Sequence, residues 1–492
     1  MKTAYQMYID GEWVNSSSGE TFTSENPFNR EEWAVVQKAD EQDAAMAIFS
    51  ARNAFDNEWG RVNGAQRARL MNKLADLIDD NAVHLAGIET TDNGKVIRET
   101  EVQMHYAARI FRFFAGCADK LYGKVIPLDN PSMFDYTIRE PLGVVLLITA
   151  WNSPIALLAN KLPPALAAGN AVVVKPSSYT SASTLEFAKL VEAAGFPKGV
   201  FNVVTGGGNG IGDCLTKSPK IDKISFTGGT STGRHILRNA SNNITRVTLE
   251  LGGKSPNIIF ADANMNRAIV GAIAGIFAAT GQSCIAGSRL LVEESVFEQV
   301  VNTIVTRAQK IRLGNPLEKE TEMGPVANRH QFEEILNHIE KAIAEGAEVL
   351  TGGKRVQQGE LSKGYFIEPT VLAAKNDMSI AQTEIFGPVL SVIRFKNEDE
   401  AIQIANDTVY GLASGVWTSD LNRAHRMAKA IKAGVVWINT YRSSAAQAPF
   451  GGYKQSGYGR ERGEEALLDY TQVKNVMMDL SSGIRDPFLI KV

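Results

Sequence analysis

Short apolar runs that alternate with helical segments constrain the fold of this chain more than any other feature of its sequence. Each run is rich in valine, leucine or isoleucine and is mostly apolar, rather than apolar only at every second residue; the runs lie at 143–148, 171–174, 200–204, 256–260 and 289–292. Continuous apolar strands separated by helices are typical of parallel sheets covered on both faces. The pattern predicts an α/β fold with two such units, joined near Gly252 and Gly253.

Apolar residues spaced three and four apart predict amphipathic helices over 40–57 and 65–90, with further helices near 295–311 and 329–345. These segments supply the helical layers that a parallel sheet requires on its faces.

Two segments outside the α/β alternation have the pattern of exposed β-ribbons, at about 122–142 and 468–476. Isolated ribbons are marginally stable and usually pair with another sheet, often in a second subunit. They therefore indicate a small β-ribbon element used in oligomerisation.

Composition excludes several classes of function. A chain of 492 residues is too long for one core, and its net charge of −3 gives no basis for binding nucleic acid or an anionic membrane. The three cysteines form no C-x-x-C pair and the six histidines are scattered, which favours a reducing compartment and no metal site. With no presequence pattern and no apolar run near the roughly 20 residues of a membrane span, we expect a cytoplasmic protein.

Cys284 is the candidate nucleophile because it follows a helical segment that ends at Thr280 and Gly281, on a turn that glycine permits. Glu250, between two leucines, has the apolar setting that raises a carboxyl pKa and suits a general base. Asn152, in a Trp-Asn-Ser-Pro segment, has a side-chain amide that can donate to an oxyanion. Taken singly, these residues also fit a buried thiol, a salt-bridged carboxylate and a turn; together they supply the parts of acyl transfer through a thioester.

Two glycine-rich loops are candidates for holding a pyrophosphate. Residues 225–233 follow a short strand and open a helix, and residues 206–212 follow another strand; neither has the G-x-G-x-x-G spacing, so each also fits a flexible turn. Lys175 ends a valine run and points from a strand terminus into the crevice where such sheets bind ligands.

The sequence resembles the aldehyde dehydrogenase superfamily over nearly its whole length. The motifs that carry the resemblance, in chain order, are Asp92-Asn93-Gly94-Lys95, Trp151-Asn152, Lys175-Pro176-Ser177, Phe226 to Gly233, Leu249 to Pro256, Gly281-Gln282-Ser283-Cys284, Glu384 to Pro388, and Pro449 to Gly457.

The resemblance implies roles that match the chemistry of the residues. Cys284 would be the nucleophile, Asn152 the oxyanion donor and Glu250 the base that activates water for hydrolysis of the thioester to a carboxylic acid. Lys175 would hold the adenosine ribose and Glu384 the nicotinamide ribose. The full set of candidate cofactor residues is Trp151, Lys175, Ser178, Gly208, Gly212, Phe226, Thr227, Gly228, Gly229, Thr230, Gly233, Leu251, Gly252, Glu384 and Phe386.

Departures from the family pattern bear on the cofactor. Many NAD-preferring members have a glutamate where this chain has Ser178, and a serine is commoner than Gly229 in the phosphate turn. A carboxylate at Ser178 would repel a 2′-phosphate, so its absence leaves both NAD and NADP admissible.

The positions that match the family's substrate tunnel are less aromatic than in members acting on simple aliphatic aldehydes. They are Ser153, Leu157, Asn160, Ser283, Ile285, Arg442, Ser444 and Phe450. A hydrogen-bonding tunnel predicts a polar or functionalised aldehyde. Arg442 can meet a carboxylate there, or it can face solvent or a neighbouring subunit.

The resemblance also implies domain boundaries and an assembly. We expect a Rossmann-like NAD(P)-binding domain over 1–122 and 142–252, an α/β catalytic domain over 253–455, oligomerisation segments over 123–141 and 456–492, and a homodimer or homotetramer. The alternatives are a CoA-acylating relative, which typically lacks the base at Glu250, and a structural relative without catalysis, which retention of the motif residues disfavours.

Overall fold

The computed structural model describes residues 2–483 and residue 488. Its strands are β1 Thr3–Tyr5, β2 Met7–Ile9, β3 Glu12–Val14, β4 Thr21–Asn26, β5 Glu31–Gln37, β6 Val125–Ile126, β7 Met133–Pro141, β8 Val144–Ile148, β9 Ala171–Lys175, β10 Phe201–Val203, β11 Lys223–Thr227, β12 Arg246–Glu250, β13 Pro256–Ile259, β14 Arg289–Glu293, β15 Glu348–Thr351, β16 Thr370–Ala373, β17 Val389–Phe395, β18 Ala413–Trp417, β19 Val435–Ile438, β20 Gly457–Tyr458 and β21 Thr471–Asp479. Its α-helices are α1 Glu41–Asn57, α2 Gly64–Asp80, α3 Ala82–Asn93, α4 Ile97–Ala115, α5 Pro154–Ala168, α6 Ala182–Ala194, α7 Asp213–Lys217, α8 Thr230–Ser241, α9 Met265–Phe277, α10 Phe297–Ala308, α11 Arg329–Ala344, α12 Ser379–Gln382, α13 Glu398–Asn406, α14 Leu421–Ala430 and α15 Gly463–Asp469.

The first sheet has the strand order β20-β12-β11-β8-β9-β10-β2-β3, and its five central strands are parallel. Val145 and Leu147 of β8 point into the core beneath α2, α4, α5 and α6, while Val144 and Leu146 point into the core beneath α1 and α8. Both faces are covered, as continuous apolar runs predict. The chain runs outward from β8 in both directions, so the sheet has a topological switch point between β8 and β11, where doubly wound sheets bind ligands.

The second sheet has the order β15-β16-β17-β14-β13-β18-β19, with β15 as the only antiparallel member among the strands that the structure describes. Leu290 and Val292 of β14 pack under α9 and α10, and Leu291 packs under the helices of the opposite face. The predicted α/β fold with two units is confirmed, and the chain passes from one sheet to the other between β12 and β13, at Gly252 and Gly253.

The two predicted ribbons pair with each other in the same chain. Strand β21 is antiparallel to β7 from Thr471 opposite Pro141 to Asp479 opposite Met133, and β6 pairs along the other edge of β7. The partner sheet expected for each ribbon is therefore intramolecular. Val473 and Met477 remain 57% and 58% exposed on β21, so the ribbon still exposes large apolar side chains.

Two predicted boundaries differ from the structure. The helix expected over 65–90 is two helices, α2 and α3, because the Asn81 side chain donates to the Leu77 carbonyl at 2.8 Å and ends α2. The strand expected from 468 begins at Thr471, since α15 occupies the preceding residues.

The segment 456–492, expected to be an oligomerisation or bridging segment, also contributes to the first sheet and its core. Strand β20 pairs with β12, and Ala466 and Leu467 of α15 lie in the core of the first sheet. Residues 484–487 and 489–492 of this segment lie outside the described residues.

Within residues 2–483 and residue 488, no helix is both long enough and apolar enough to cross a membrane.

Candidate active site

Cys284 lies on a loop whose backbone only a few sequences can adopt. Helix α9 ends at Phe277, earlier than predicted, and Ala279, Thr280 and Gly281 follow with φ of 54°, 56° and 68°. Left-handed backbone costs a residue with a Cβ roughly 1–2 kcal/mol. Position 281 requires glycine, because a Cβ there would lie 1.9 Å from the Gly387 carbonyl oxygen. The predicted glycine-permitted turn is present and is packed tightly against a second loop.

Side chains from distant segments hold this loop in place. A Glu99 carboxylate oxygen accepts a hydrogen bond from the Ala279 backbone N–H at 3.1 Å, and the Gln282 side-chain oxygen accepts from the Ala327 N–H at 2.8 Å. Since both bonds satisfy buried backbone donors, they offset part of the strain and fix the direction in which Cys284 projects.

Asn152 approaches Cys284 from the first sheet, on the loop that follows β8. Its Nδ2 donates to the Gln282 carbonyl at 3.0 Å, which uses one of the two amide hydrogens. The second amide hydrogen stays available. Among the described residues, no group accepts a hydrogen bond from the Cys284 backbone N–H. Two donors are thus placed beside the thiol, as an oxyanion hole requires.

Glu250 ends β12 and is 3% exposed. Neither of its carboxylate oxygens has a hydrogen-bond partner among the described residues. Burial raises the pKa of Glu250 well above its usual range, and the negative charge of Glu461 raises it further. Glu461 in turn forms a buried ion pair with Lys161. An unpartnered carboxyl with a raised pKa at the end of a strand is free to exchange a proton with water or substrate.

The Cys284 thiol is protonated in the protein alone. Burial raises its pKa to about 12, and the carboxylates of Glu384 and Glu250 act in the same direction. A thiol of this kind is unreactive until a base or a cation reaches it.

Two connected chambers lie at the switch point of the first sheet, and Trp151, Thr227, Gly228 and Gly229 border both. The outer chamber, of about 500 Å³, is also lined by Lys175, Ser178, Gly208, Gly212 and Phe226. The inner chamber, of about 290 Å³, is also lined by Asn152, Glu250, Leu251, Gly252, Cys284, Glu384 and Phe386. The candidate cofactor residues predicted from sequence are thereby brought together, apart from Thr230 and Gly233.

Thr230 and Gly233 lie on α8, just behind the chamber wall. Thr230 is the first residue of α8, so its helix terminus presents backbone N–H groups and a positive dipole end to the chamber. Gly233 acts through packing, because a Cβ there would lie 2.7 Å from a Leu251 methyl group.

The chambers fit a dinucleotide. Gly208 and Gly229 would place a Cβ in open space, so their backbones border the chamber without a side chain in the way of a phosphate. At the inner end, Glu384 accepts a hydrogen bond from the Gly253 N–H at 3.0 Å, and a Cβ on Gly252 would strike the same carboxylate at 2.0 Å. Burial raises the pKa of Glu384 to about 7. A carboxylate fixed by backbone in this way can hold a ribose hydroxyl pair.

The outer chamber contains the predicted Lys175 and two polar residues that sequence reasoning missed, Asp213 and His235. Lys175 donates to the Gly206 carbonyl at 2.9 Å, and burial lowers its pKa to about 8. Asp213 and His235 line the same wall and are joined at 2.6 Å; hydrogen bonds from His235 and Lys217 lower the pKa of Asp213 to about 2. Asp213 comes from a helix start, with no sequence pattern that distinguishes it from a surface residue.

A third cavity, of about 620 Å³, opens on the other side of Cys284 and shares Asn152, Glu250 and Cys284 with the inner chamber. It is lined by the predicted tunnel residues Ser153, Leu157, Asn160, Ser283, Ile285, Arg442, Ser444 and Phe450. It is also lined by residues that the sequence did not single out, namely Lys95, Gln103, Tyr106, Trp437, Glu461 and Arg462.

The two arginines of this third cavity are already engaged. Arg442 donates through Nη1 to the Ala278 carbonyl at 3.2 Å and so caps the end of α9, while its side chain remains partly exposed. Arg462 donates to the Asn160 side-chain oxygen at 3.0 Å, and its guanidinium lies 5.0 Å from the centre of the Phe450 ring. The cavity wall is largely apolar and carries the two arginines as well as the carboxyl groups of Glu250 and Glu461.

Fold and site together define a class of protein: a dehydrogenase that binds a dinucleotide at a switch point and presents a cysteine nucleophile to a separate substrate cavity. The chain belongs to the aldehyde dehydrogenase family, whose sequence profile matches residues 13–476. The protein is an oxidoreductase that oxidises aldehydes to carboxylic acids with NAD or NADP.

Relatives agree with this assignment over almost the full length. The chain is 48% identical over 491 residues to (Z)-2-((N-methylformamido)methylene)-5-hydroxybutyrolactone dehydrogenase of Acinetobacter baylyi, covering 99% of each sequence. It is 45% identical over 472 residues to betaine aldehyde dehydrogenase of Bacillus subtilis, covering 96% of each. A crystal structure of betaine aldehyde dehydrogenase from Staphylococcus aureus in complex with NAD+ matches 99% of this chain and 97% of that chain at 42% identity, with a TM-score of 0.97.

Proposed function

We propose that the enzyme oxidises its aldehyde through a thioester on Cys284, with Asn152 as the oxyanion donor and Glu250 as the base for hydrolysis. The observation that carries the proposal is the meeting of these three residues at the boundary between the inner chamber and the third cavity. An aldehyde in the third cavity can reach the thiol from one side while the cofactor lies on the other.

In the first step the Cys284 thiol releases its proton to water in the cavity and its sulfur adds to the aldehyde carbon. The negative oxygen that results accepts hydrogen bonds from the Asn152 amide and the Cys284 N–H. The bound oxidised nicotinamide, a cation, would favour the thiolate by its charge and accept the hydride that turns the adduct into a thioester. Glu250 then takes a proton from water as that water attacks the thioester, and the acid leaves with Cys284 restored.

Hydrolysis rather than transfer to CoA is supported by Glu250 itself. Its oxygens have no partner among the described residues, and Glu250 lines a cavity that borders the thiol, which supports activation of water by this side chain. The test is the product: turnover in isotopically labelled water should place the label in a free acid. Formation of an acyl-CoA at a higher rate, when CoA is supplied, would contradict the proposal.

We infer that both NAD and NADP are used and that NADP is competent. Ser178 lines the outer chamber at the position where a glutamate would repel a 2′-phosphate, and Lys175 lines the same chamber. Comparable kcat/KM values for the two cofactors would support this, whereas activity with NAD alone would refute it.

The third cavity favours a polar aldehyde that is neutral or anionic. Betaine aldehyde, the substrate named for two of the relatives, carries a quaternary ammonium group, which aromatic faces normally bind. Here the guanidinium of Arg462 already lies over the rings of Tyr106 and Phe450, at 5.5 and 5.0 Å from their centres. Arg442 adds a second positive charge to the cavity wall. Both arginines would oppose a cationic substrate.

The first measurement is therefore a panel of initial rates with aliphatic, aromatic, ω-carboxylated and quaternary ammonium aldehydes. We expect polar neutral or carboxylated aldehydes to have the highest kcat/KM. Preference for long-chain aliphatic aldehydes or for betaine aldehyde would overturn the substrate proposal and leave the catalytic assignments untouched.

We further propose a homodimer or homotetramer assembled through the sheet of β6, β7 and β21. The exposed Val473 and Met477 on β21 support it, because a long apolar strand face is a poor surface for a monomer. Replacing both by lysine should lower the particle mass measured by light scattering. An unchanged mass would exclude this face.

We also propose a division of the chain into two domains and a cytoplasmic location for the protein. The predicted NAD(P)-binding domain over 1–122 and 142–252, extended by residues 456–470, and the catalytic domain over 253–455 each have their own sheet and cores. The three free cysteines support a reducing, cytoplasmic setting.

A further inference from the structure

Lys95 is a buried lysine beside the site to which the reaction steps above assign no role. It is 5% exposed and lies in the short link between α3 and α4. Gly94, with φ of 75°, turns the chain at the end of α3 and directs this link toward the loop that carries Asn152. Burying an ammonium group is costly unless its hydrogen bonds are satisfied, so its partners indicate its purpose.

All three N–H donors of Lys95 have acceptors. Its Nζ donates to the Asn152 carbonyl and to the Ser153 hydroxyl in two short contacts, and to the Gln103 side-chain oxygen at 3.3 Å. A lysine ammonium has three hydrogens and no more. Its hydrogen-bonding capacity is therefore directed mainly to the peptide that carries the proposed oxyanion donor.

Asn152 is consequently held at both ends. Its main-chain carbonyl accepts from Lys95, and its side-chain Nδ2 donates to the Gln282 carbonyl at 3.0 Å, on the loop of Cys284. The Asn93 amide lies 3.4 Å from the same main-chain oxygen and reinforces the first contact. With both ends fixed, the remaining amide hydrogen has one direction in which to point.

We propose that Lys95 is a positioning residue for the oxyanion donor: it clamps the Asn152 peptide so that the free amide hydrogen faces the carbonyl oxygen of the aldehyde that Cys284 attacks. The proposal rests on the function assigned above to Asn152. Hydrogen bonds from a charged donor are stronger and shorter than neutral ones, which suits a clamp in a water-poor site. Displacement of a reacting group by about 1 Å can cost on the order of 100-fold in rate.

Lys95 also lines the third cavity, so the alternative to the clamp is that Lys95 anchors a substrate carboxylate directly. The geometry favours the clamp, because a carboxylate could bind the ammonium only by displacing one of its three acceptors. The two roles differ in what they change. An anchor alters the KM of carboxylated substrates, whereas a clamp alters the chemical step for every aldehyde.

The test is a double-mutant cycle on kcat/KM with a neutral aldehyde. Asn152→Ala should lower kcat/KM by roughly 100- to 1,000-fold, as loss of one oxyanion donor does. Lys95→Met should lower it by roughly 10- to 100-fold, mainly in kcat. The double variant should be no slower than Asn152→Ala, because Lys95 acts through Asn152. Lys223→Met is the matched control: Lys223 is equally buried but bonds Thr248 and Asp469, and its loss should leave kcat/KM per folded enzyme unchanged.

A second readout separates positioning from general damage to the site. Alkylation of Cys284 by iodoacetamide builds no oxyanion, so it responds to Lys95 only through the charge interaction between the two side chains. Lys95→Met should therefore slow alkylation much less than it lowers kcat/KM. If Lys95→Met does not fold, Lys95→Gln, which keeps amide donors without the charge, replaces it in the same cycle.

Each other outcome overturns a different statement. Additive losses in the double variant, or alkylation slowed as much as kcat/KM, would refute the clamp. So would a rise in KM confined to carboxylated aldehydes, which would make Lys95 a substrate anchor. Full activity of Asn152→Ala would instead refute the oxyanion assignment on which the clamp depends.

Discussion

Replacement of Glu250 by glutamine tests the division of labour in the site most directly. The change keeps the size of the side chain and removes its ability to take a proton. Loss of a general base typically costs ~10²–10⁴-fold in rate. Because neither oxygen of Glu250 has a partner among the described residues, glutamine breaks no hydrogen bond there, and the loss should reflect proton transfer alone. We expect hydrolysis to slow by on the order of 1,000-fold, equivalent to about 4 kcal/mol.

The acylation step should respond in the opposite direction. With a pKa of about 12, only about 10⁻⁵ of the Cys284 thiol is ionised near pH 7. Ionising the thiol at that pH therefore costs about 7 kcal/mol. The Glu250 carboxylate is one of the charges that raise the pKa of this thiol, so removing it should favour the thiolate. Glu250→Gln should therefore keep, or slightly accelerate, the first turnover.

Rapid mixing with aldehyde and NAD distinguishes these steps. The expected trace is a burst of about one equivalent of NADH per active site, followed by a steady state about 1,000-fold slower than wild type. Alkylation of Cys284 at the wild-type rate or faster is the control that the site is intact. Absence of the burst would show that Glu250 is needed before hydride transfer, and an unchanged steady state would remove it from hydrolysis; either result refutes the reasoning.

Three further predictions follow from single positions. Ser178→Glu should raise the KM for NADP by on the order of 100-fold, since a carboxylate about 5 Å from a phosphate costs about 3 kcal/mol per charge pair at an effective dielectric constant of 20. Ser178→Gln should leave this KM unchanged, and equal effects of the two variants would rule out a charge mechanism. Burial raises the pKa of Glu89 from 4.5 to about 7, so its contribution to stability is complete below pH 4.5 and is lost as the pH rises through 7. In urea titrations across that range, Glu89→Gln should flatten the resulting fall of about 3 kcal/mol in the free energy of unfolding. An unaltered pH dependence would contradict the raised pKa. Gly281→Ala should abolish activity because its Cβ would meet the Gly387 oxygen at 1.9 Å. Gly195 has a φ of 86° but open space around its Cβ position, so Gly195→Ala should lose only stability. An active Gly281→Ala enzyme would show that the loop of Cys284 can move.

Local sequence determined the elements whose signals are contained in a few neighbouring residues. Apolar runs such as 144–148 are strands because they are continuous and bounded by turns, and the prediction of two parallel sheets from them is confirmed. The turn before Cys284 was recognisable from Gly281, whereas the left-handed backbone of Ala279 was not, since alanine gives no such signal.

Boundaries between adjacent helices were less accessible. Residues 65–90 have one apolar periodicity, and the break at Asn81 depends on a single side chain that bonds the preceding turn. Periodicity reports which face is buried, and that face is similar on both sides of the break, so the pattern alone predicted one helix.

The site divides in the same way. The sequence by itself determined the α/β class, the family, and the residues whose motifs are local, including Cys284 and Glu250. The tertiary structure decided which distant groups surround them: Lys95 behind Asn152, Arg462 over Phe450, and the pairing of β21 with β7 inside one chain. The reason is physical. A strand or a turn is set by interactions between near neighbours in sequence, but the wall of a cavity is set by how whole layers pack, and side chains that meet there share no pattern along the chain.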